Sequence, residues 1–343
     1  MGVQYWLSVA LLFFSTLKIK INWHFKLKKN SQNTHLESKM IDKTSKILII
    51  GFGSIGQRHY KNLLSLGYEN VYVYDVDHKK ISNLKSQISN LTAETLKQFD
   101  IAFITNPTHL HVETALLAAK AGCHLFIEKP LSHNLKGIKN LIKIAKKKKR
   151  IVMVGCNYRF NKGFKMLEEI VKNKKFGDPL LSRVVISQNL IKSRPGVDFK
   201  TTYAAKSKFG GGVVLDSGAH AVDYLSSLFG FGKCVSSYLE ESDKLDIDAE
   251  HSANFILKHK NGVVSEISLD YFGEPKKHSL EVQFKNGSAK WNFAGNTIET
   301  YDSQSGESKT TLIYEADETE SARNDMYVEE LRHFLNAVKY SES

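Results

Sequence analysis

The sequence predicts two domains, an α/β domain with a doubly wound parallel sheet and an α+β domain with an open, mostly antiparallel sheet. Over residues 45–156, short apolar segments alternate with helical ones, which is typical of βαβ units in a parallel sheet. Beyond residue 180, strand-like segments follow one another with few helices between them, which favours antiparallel pairing. A glycine-rich turn at 51–56 joins the first apolar segment to the first helix, as in other doubly wound domains.

Five short apolar segments are the predicted strands of the first domain. Right-handed helical crossovers between them would bring all five into one parallel sheet. In chain order they are KILII (46–50), VYVYD (71–75), DIAFIT (100–105), HLFIE (124–128) and IVMVG (151–155), and helices are predicted over 57–67, 111–122 and 135–148.

The predicted second domain comprises residues 157–343. Segments such as SANFILKHK and SLEVQF alternate between polar and apolar side chains, which indicates strands with one buried face. The dipeptide Asn-Gly follows both of these segments and is typical of hairpin turns. Two helices stand out, over 211–230 and 327–339.

The composition narrows the function classes. With 343 residues, of which 42% are hydrophobic, the chain can bury the cores of two domains. The net charge is +12, but the basic run KKKKR (146–150) ends a predicted helix and contains no aromatic residues, so we expect no nucleic-acid partner. Cys123, Cys156 and Cys234 are too far apart for a metal-binding motif or a disulfide framework, so we expect no metal and a cytoplasmic location.

Residues 1–44 form an extension that precedes the first predicted strand. Residues 5–17 are an apolar run of 13 residues, shorter than the roughly 20 that a membrane-spanning helix needs. Lysines follow this run rather than precede it, unlike in a secretory signal. Three interpretations stay open: a non-native extension upstream of a true start at Met40, a membrane-surface anchor, or an uncleaved span. We expect no membrane contact for the two domains that follow.

The turn GFGSIG has the spacing of a dinucleotide-binding loop between a strand and a helix. Its first glycine permits a tight turn, the second lets a pyrophosphate approach the backbone, and the third lets the helix pack against the strand. The helix N-terminus would then face the phosphates. The residues predicted to form this cofactor site are Gly51, Phe52, Gly53, Ser54, Ile55 and Gly56. An ordinary tight turn between a strand and a helix is the alternative.

Asp75 ends the second predicted strand, 19 residues after Gly56. A carboxylate at this place accepts hydrogen bonds from the ribose hydroxyls of NAD and repels the 2′-phosphate of NADP. The sequence therefore favours NAD, while Arg58 leaves NADP open because an arginine near the ribose changes that preference.

The segment TNPTHLH closes the third predicted strand. The carboxyl ends of parallel strands line the binding crevice of such sheets, so we expect Thr105, Asn106, Pro107 and His111 beside the cofactor. A helix N-terminus with a nearby proline explains the same residues without a ligand.

The fourth predicted strand ends in Glu128, Lys129 and Pro130. This position places Lys129 at the carboxyl edge of the sheet, where the nicotinamide ring would lie, with Glu128 beside it to orient it. There the lysine can exchange a proton with a substrate hydroxyl while a hydride moves. We therefore predict that Lys129 is catalytic and that Glu128 and Lys129 also contact the cofactor. An exposed lysine at a strand end is the alternative.

Five motifs of the sequence resemble the glucose–fructose oxidoreductase and inositol dehydrogenase family (Gfo/Idh/MocA). They are GFGSIGQRH (51–59), TNPTHLH (105–111), EKP (128–130), GCNYRF (155–160) and GGGVVLDSGAHAVDYL (210–225), and the resemblance extends over about residues 45–340. It implies an NAD(P)-binding Rossmann domain followed by a substrate domain. It also implies an active site with Lys129 from EKP and with Asp216 and His220 from the second domain.

Asp216 and His220 are four residues apart within the predicted helix 211–230, so they would share one helix face. Histidine is suited to accept the proton of the alcohol that is oxidised, because it titrates near neutral pH. Asp216 can bind an adjacent hydroxyl or orient the histidine. A solvated pair on a helix surface is the alternative.

Four further residues are candidates for substrate contacts. Arg194 and Tyr203 lie in the polar loop 192–212 before this helix, and Asn157 and Arg159 lie in GCNYRF. Cationic, amide and hydroxyl groups of this kind bind carboxylates, phosphates or sugar hydroxyls. A solvated loop accounts for 192–212 equally well.

The sequence thus predicts an NAD(P)-dependent oxidoreductase that moves a hydride between nicotinamide and a secondary alcohol or ketone of a sugar, a cyclitol or a nucleotide sugar. The alternatives are a cofactor-binding sensor or scaffold without turnover and a reductase of a non-sugar substrate. The open sheet of the second domain favours a homo-oligomer. Because family members usually continue beyond the helix 327–339, the end of the chain at Ser343 predicts a truncated C-terminus.

Overall fold

A computed structural model describes residues 43–240, 243–315 and 319–341 of the chain. Apart from residues 43 and 44, the predicted extension 1–44 lies outside this part. The described chain forms two compact units. The first contains residues 43–155 together with the chain from Tyr327 onward, and the second is Cys156–Met326.

The sheet of the first unit has five parallel strands in the order β2-β1-β3-β4-β5. Their bounds are β1 Ile47–Ile50, β2 Val71–Tyr74, β3 Ile101–Ile104, β4 His124–Glu128 and β5 Val152–Gly155. Every residue of β1, β3 and β4 is buried, as is typical of parallel sheets that are covered on both faces. The predicted doubly wound domain is confirmed, and the strand order reverses at β1, where such sheets bind ligands.

Helices follow the strands of this sheet. They are α1 Ser54–Ser65, α2 Ala93–Leu96, α3 His111–Ala121 and α4 Ile138–Lys147. The first helix begins at Ser54 rather than at the predicted residue 57, and its N-cap is Gly53. The glycine turn therefore leads directly into the helix N-terminus.

The last helix, α7 (Thr319–Ser341), crosses the boundary between the two units, which lies after Met326. The predicted second domain included this whole helix, and the structure differs: residues from Tyr327 onward pack within the first unit. The ring of Phe334 meets Phe103 and Phe126 edge-on, with centroids 5.8 and 5.5 Å apart. The apolar pattern of the helix indicates a buried face but cannot tell which sheet covers it.

The sheet of the second unit has eight strands in the order β13-β12-β11-β10-β6-β9-β8-β7. Among the strand pairs of the described residues, β6–β9 is parallel and the other six are antiparallel, which confirms the predicted sheet class. The bounds are β6 Pro179–Ser187, β7 Gly232–Glu240, β8 Ser252–His259, β9 Val264–Asp270, β10 Lys277–Phe284, β11 Gly287–Asn292, β12 Thr297–Asp302 and β13 Ser308–Leu312.

One face of this sheet forms the core of the second unit together with helices α5 (Lys162–Lys172) and α6 (Ala219–Phe229). Burial alternates along β8, β9 and β10, as the period-2 pattern predicts. Trp291 on β11 is fully buried in this core, with its ring centroid 5.6 Å from that of Phe164 and 5.9 Å from that of Tyr224.

The predicted helix 211–230 is wrong in its first half. Val214–Gly218 form a π-helical turn, and the regular helix α6 begins only at Ala219. The Glu250 carboxylate accepts the N–H of Val214 over 3.0 Å, a contact from a distant segment that local periodicity cannot reveal. Because a π-turn is wider than an α-turn, the α-helical spacing assumed for Asp216 and His220 does not apply there.

None of the helices within the described residues is both long and apolar enough to cross a membrane. The same part of the chain holds no group of three or more His, Cys, Asp and Glu side chains that could bind a metal ion.

The core of the second unit includes a histidine that must stay neutral. His278 is buried among aromatic rings, with centroids 4.7 Å from Tyr158 and 5.7 Å from Trp291. Burial, aided by the charge of Lys276, lowers the pKa of His278 to about 3. The unfolded chain therefore binds more protons than the folded chain at any pH between this value and the ordinary pKa of 6.5.

We expect this histidine to make the fold sensitive to acid. Its contribution to stability is complete above pH 6.5 and declines as the pH falls, by about 2 kcal/mol at pH 5. Urea titrations at pH 8 and pH 5 measure the effect, with His278→Phe as the matched variant that keeps a ring but cannot be protonated. An equal loss of stability in His278→Phe and in the natural protein would assign the acid sensitivity to other groups.

Candidate active site

Close backbone contacts shape the glycine turn between β1 and α1. Gly51 has a φ of +102°, and a Cβ there would lie 2.5 Å from the backbone nitrogen of Asn106. A Cβ on Gly56 would lie 2.1 Å from the carbonyl oxygen of Gly51. The Thr105 hydroxyl donates to that same oxygen over 2.6 Å. Glycine is therefore required at both positions for β1, α1 and β3 to meet.

Gly53 differs from these two glycines because the fold leaves its surroundings open. A Cβ at Gly53 would meet no atom within 4 Å, and its φ of −70° suits any residue. Within the described residues, no side chain caps the first turn of α1. The N–H groups at this helix N-terminus favour an anion, so the turn fits the pyrophosphate of a dinucleotide.

Asp75 follows β2 and is held at the glycine turn. Its Oδ2 accepts the N–H of Phe52 over 2.6 Å, and its Oδ1 accepts the N–H of Asp77 over 2.8 Å. The carboxylate is buried. A buried acceptor fixed beside the turn suits the ribose hydroxyls of a dinucleotide.

The cation that the structure shows beside this carboxylate is not the one that the sequence analysis named. Arg58, predicted as the residue that would leave NADP open, has its guanidinium 4.6 Å from the centre of the Tyr327 ring. Lys80, which sequence reasoning did not single out, has its ammonium 3.9 Å from Oδ1 of Asp75. Lys80 is thus the cation that the structure brings to the predicted ribose site.

His111, the first residue of α3, joins the loops that follow β3 and β4. Its Nε2 lies 2.7 Å from the carbonyl oxygen of Asn106, and its Nδ1 lies 2.9 Å from that of Pro130. The Asn106 amide donates to the hydroxyl of Thr114 over 2.9 Å. Pro107 is exposed, whereas His111 is buried. His111 therefore links the loop after β3 to the loop after β4.

Lys129 follows β4 and is half-buried. The neighbouring Glu128 uses Oε2 to accept the N–H of Lys129 over 3.1 Å, while its Oε1 lies 2.7 Å from Nε2 of His59 on α1. Burial and the Glu128 carboxylate raise the pKa of Tyr327 to about 12, against the opposing charges of Arg58 and Lys129. A neutral tyrosine hydroxyl is thus the stable form beside the lysine.

Two tyrosines of the second unit converge on Asp216. The hydroxyl of Tyr203 donates to Oδ1, and that of Tyr271 donates to Oδ2 over 3.4 Å. Burial, with the Asp216 carboxylate adding to it, raises the pKa of Tyr271 well above its usual value, so this phenol stays a donor. A half-buried carboxylate fixed between two phenols can accept hydrogen bonds from further hydroxyl groups.

His220 lies on α6 against an aromatic wall. Its ring is edge-on to Tyr158, with centroids 4.5 Å apart, and Tyr158 in turn packs 4.9 Å from Phe293. Contacts of this kind restrict the orientation of the imidazole ring. His220 and Asp216 are both half-buried.

Of the four predicted substrate residues, Tyr203 contacts Asp216 and Arg194 contacts Tyr203. Arg194 is exposed, with its guanidinium 5.8 Å from the centre of the Tyr203 ring, and Tyr203 donates to Asp216. The structure therefore groups a cation, a phenol and a carboxylate at this place.

The other two predicted substrate residues serve the interior of the second unit. Arg159 makes two hydrogen bonds to the carboxylate of Asp223, over 2.6 and 2.7 Å, and the two side chains are 15% and 5% exposed. Asn157 is buried, with its amide nitrogen 3.4 Å from the sulfur of Met326. A buried two-bond ion pair costs several kcal/mol to break, so Arg159 is held by Asp223, and a substrate contact of Arg159 or Asn157 stays a prediction.

Besides Lys80 and Tyr327, sequence reasoning missed His59, Tyr158 and Tyr271. His59 and Tyr158 lie within the quoted motifs GFGSIGQRH and GCNYRF, so the motifs held a signal for them. Tyr271 lies just after β9 in no motif, and only the fold brings it to Asp216.

Comparison with known proteins agrees with this architecture. Residues 45–156 match a family model described as "Oxidoreductase family, NAD-binding Rossmann fold", and residues 164–290 match one described as "GFO/IDH/MocA C-terminal domain". The two matches cover well over half of the chain. It belongs to the Gfo/Idh/MocA family. The first unit is accordingly an NAD-binding Rossmann domain, and the chain is a member of an enzyme family of oxidoreductases.

Individual relatives have related names. The chain is 28% identical over 318 residues to myo-inositol 2-dehydrogenase of Thermotoga maritima, covering 87% of this chain and 89% of that protein. It is 24% identical over 200 residues to D-glucoside 3-dehydrogenase of Escherichia coli, covering 56% and 50%. Among solved structures, levoglucosan dehydrogenase in complex with NADH and levoglucosan has a TM-score of 0.75 at 16% identity, covering 87% and 90%. At 16% identity, the similarity to levoglucosan dehydrogenase shows a shared fold and nothing more.

The two glycines at 53 and 56 give a matched test of the cofactor turn. We expect Gly53→Ala to fold normally but to bind NADH roughly tenfold more weakly, because the new methyl group fills the space left for the pyrophosphate. Gly56→Ala should instead lower the thermal stability, since its Cβ meets the Gly51 carbonyl. Fluorescence titration with NADH and thermal unfolding measure the two effects. Unchanged NADH affinity in Gly53→Ala would place the phosphates elsewhere.

Proposed function

We propose that the protein transfers a hydride between NAD and a secondary alcohol or ketone of a sugar, a cyclitol or a nucleotide sugar. The observation that carries this proposal is the Asp216 carboxylate, fixed by the hydroxyls of Tyr203 and Tyr271. A fixed acceptor of this kind suits a substrate with hydroxyl groups next to the reacting carbon. The names of the relatives, which include inositol, glucoside and levoglucosan dehydrogenases, support the same substrate class.

In the proposed reaction, the cofactor exchanges the hydride and side chains of the protein exchange the proton. Oxidation of the alcohol removes a hydride from carbon and a proton from oxygen, and bound NAD supplies the hydride acceptor. We assign the movement of the proton to Lys129 and His220, whose side chains can each exchange a proton near neutral pH when suitably placed. Asp216 binds a neighbouring hydroxyl. The turn 51–56 would hold the pyrophosphate, and Asp75 the ribose.

We expect the protein to bind NADH more tightly than NADPH, because the buried Asp75 carboxylate repels a 2′-phosphate. Asp75→Asn is the matched variant: it removes the charge but keeps an oxygen that can accept the Phe52 N–H. The ratio of the two dissociation constants should narrow roughly tenfold in the variant. Titrations with both cofactors measure it, and an NADPH preference in the natural protein would show that Lys80 outweighs Asp75.

The substrate class is tested by turnover. The purified protein is incubated with NAD and a panel of inositols, sugars and nucleotide sugars, and separately with NADH and the matching ketones, while nicotinamide absorbance is followed. We expect turnover with at least one polyhydroxylated ring compound. Tight NADH binding with no turnover across the panel would favour a cofactor-binding sensor or scaffold instead.

Two further proposals concern the assembly of the protein and its location in the cell. We propose that the protein forms a homo-oligomer and works in the cytoplasm. Light scattering of the purified protein tests the first, and cell fractionation tests the second.

A further inference from the structure

The two residues next to Lys129 in the sequence, Glu128 and Pro130, each lie within hydrogen-bond distance of a buried histidine. On one side, Glu128 Oε1 lies 2.7 Å from Nε2 of His59. On the other, the carbonyl oxygen of Pro130 lies 2.9 Å from Nδ1 of His111. His59 is 0% exposed and His111 is 2% exposed, so neither ring reaches solvent, and both act within the first unit.

Glu128 links His59 to the backbone N–H of Lys129. The Glu128 carboxylate uses one oxygen for His59 and the other for the N–H of Lys129. The ring of His59 is set by its packing against Phe126 and Phe103, with centroids 5.1 and 5.6 Å away. A buried carboxylate without donors is costly, so the histidine keeps Glu128 in the orientation that holds the Lys129 amide.

The bonds of His111 tie the loop of Lys129 to the loop after β3. Both partners of the ring, the carbonyls of Asn106 and Pro130, can only accept hydrogen bonds, so the neutral ring donates to one of them at a time and the protonated ring to both. Burial lowers the pKa of His111, and the Pro130 and Asn106 carbonyls, with the Glu128 carboxylate, offset part of that effect. The ring spans the two loops at 2.7 and 2.9 Å and limits how far residue 130 can move.

We propose that His59 and His111 are positioning residues, which hold the backbone of residues 128–130 and so set the place of the Lys129 ammonium. This inference rests on the proposed role of Lys129 in proton transfer. Both histidines also lie on helices that follow predicted cofactor loops: His59 is three residues after Gly56, and His111 closes the segment TNPTHLH. The same helices that present the cofactor loops thus hold the lysine, and a displacement of about 1 Å at a reacting group can cost roughly 10²-fold in rate.

Conservative variants separate positioning from simple packing. The amide nitrogen of asparagine takes roughly the place of histidine Nδ1, and that of glutamine takes roughly the place of Nε2. His111→Asn therefore offers a donor to Pro130, whereas His111→Gln offers one only to Asn106. His59→Gln keeps the donor to Glu128, whereas His59→Phe keeps a ring but no donor.

We expect each variant that loses the donor to residues 128–130 to have a kcat roughly tenfold lower than its conservative counterpart, with similar KM and NADH affinity. Hydrogen exchange of the Lys129 amide gives a readout that needs no substrate: it should be faster in His59→Phe than in His59→Gln. Equal kcat and equal exchange within each pair would overturn the inference. If His59→Phe does not fold, the two His111 variants decide the question by kcat.

The same experiment in a Lys129→Met background separates this inference from the proposed function. If Lys129→Met alone retains full turnover, the proposed role of the lysine fails, and the inference fails with it. If Lys129→Met loses turnover but the paired histidine variants of the natural protein do not differ, the lysine role stands and only the inference fails. In the lysine-free background, the kcat difference within each pair should disappear.

Discussion

Lys129→Met is expected to lower turnover by roughly 10²–10⁴-fold, the usual contribution of a positioned acid–base group. Methionine keeps a long unbranched side chain at the half-buried position and removes the ammonium group. NADH affinity should change little, because the predicted phosphate and ribose contacts lie at the turn 51–56 and at Asp75. Steady-state kinetics on a substrate from the panel, together with NADH titration, measure the two quantities.

Lys136→Met is a suitable control for this experiment. Lys136 is an exposed lysine only a few residues further along the chain, so the same substitution there removes one positive charge without touching the proposed site. Full turnover in Lys129→Met would mean that the catalytic assignment is wrong. Loss of NADH binding in Lys129→Met, but not in Lys136→Met, would make Lys129 a cofactor contact first, and His220 the main acid–base candidate.

His220→Phe should lower kcat/KM by roughly 10²-fold. Phenylalanine keeps the ring that packs edge-on against Tyr158, at a centroid distance of 4.5 Å in the natural protein, and removes both ring nitrogens. Because Lys129 and His220 are proposed to act on one proton transfer, the double variant should be little slower than the slower single variant. The comparison uses kcat/KM of all four proteins on one substrate.

A strictly multiplicative loss in the double variant would contradict a shared step. It would indicate that His220 binds the substrate independently of the proton transfer. Thermal unfolding of His220→Phe is the control, because a ring that replaces a ring on the same aromatic wall should leave stability nearly unchanged.

Most elements of the first unit, and its cofactor loops, follow from local sequence. Short runs such as KILII and HLFIE are buried strands because parallel sheets bury both faces, and the glycine turn is recognisable because its backbone geometry admits no side chain at Gly51 or Gly56. Both signals lie within a few residues of the feature that they predict. The same is true of the alternation that indicates the antiparallel strands of the second unit.

The candidate site was harder to predict because its partners are far apart in sequence. A motif predicts Asp216 as a site residue. Tyr271, whose hydroxyl donates to Oδ2 of Asp216, lies 55 positions away and belongs to no motif. The motif GCNYRF likewise does not reveal that Arg159 pairs with Asp223, 64 positions further on. The surroundings of both Asp216 and Arg159 thus depend on a group that is distant in sequence.

The sequence by itself determined the two fold classes, the order of the strands along the chain and the glycine turn, and it predicted Lys129, Asp216 and His220 as site residues. These depend on hydrophobic period, on backbone conformations that only glycine adopts, and on motif spacing, all of which are local. Only the tertiary structure decided that the helix from Tyr327 packs in the first unit, that Val214–Gly218 form a π-turn, and that His59 and His111 flank Lys129. The physical reason is that burial and hydrogen bonding join segments tens to hundreds of residues apart, and the packing of both sheets selects those partners.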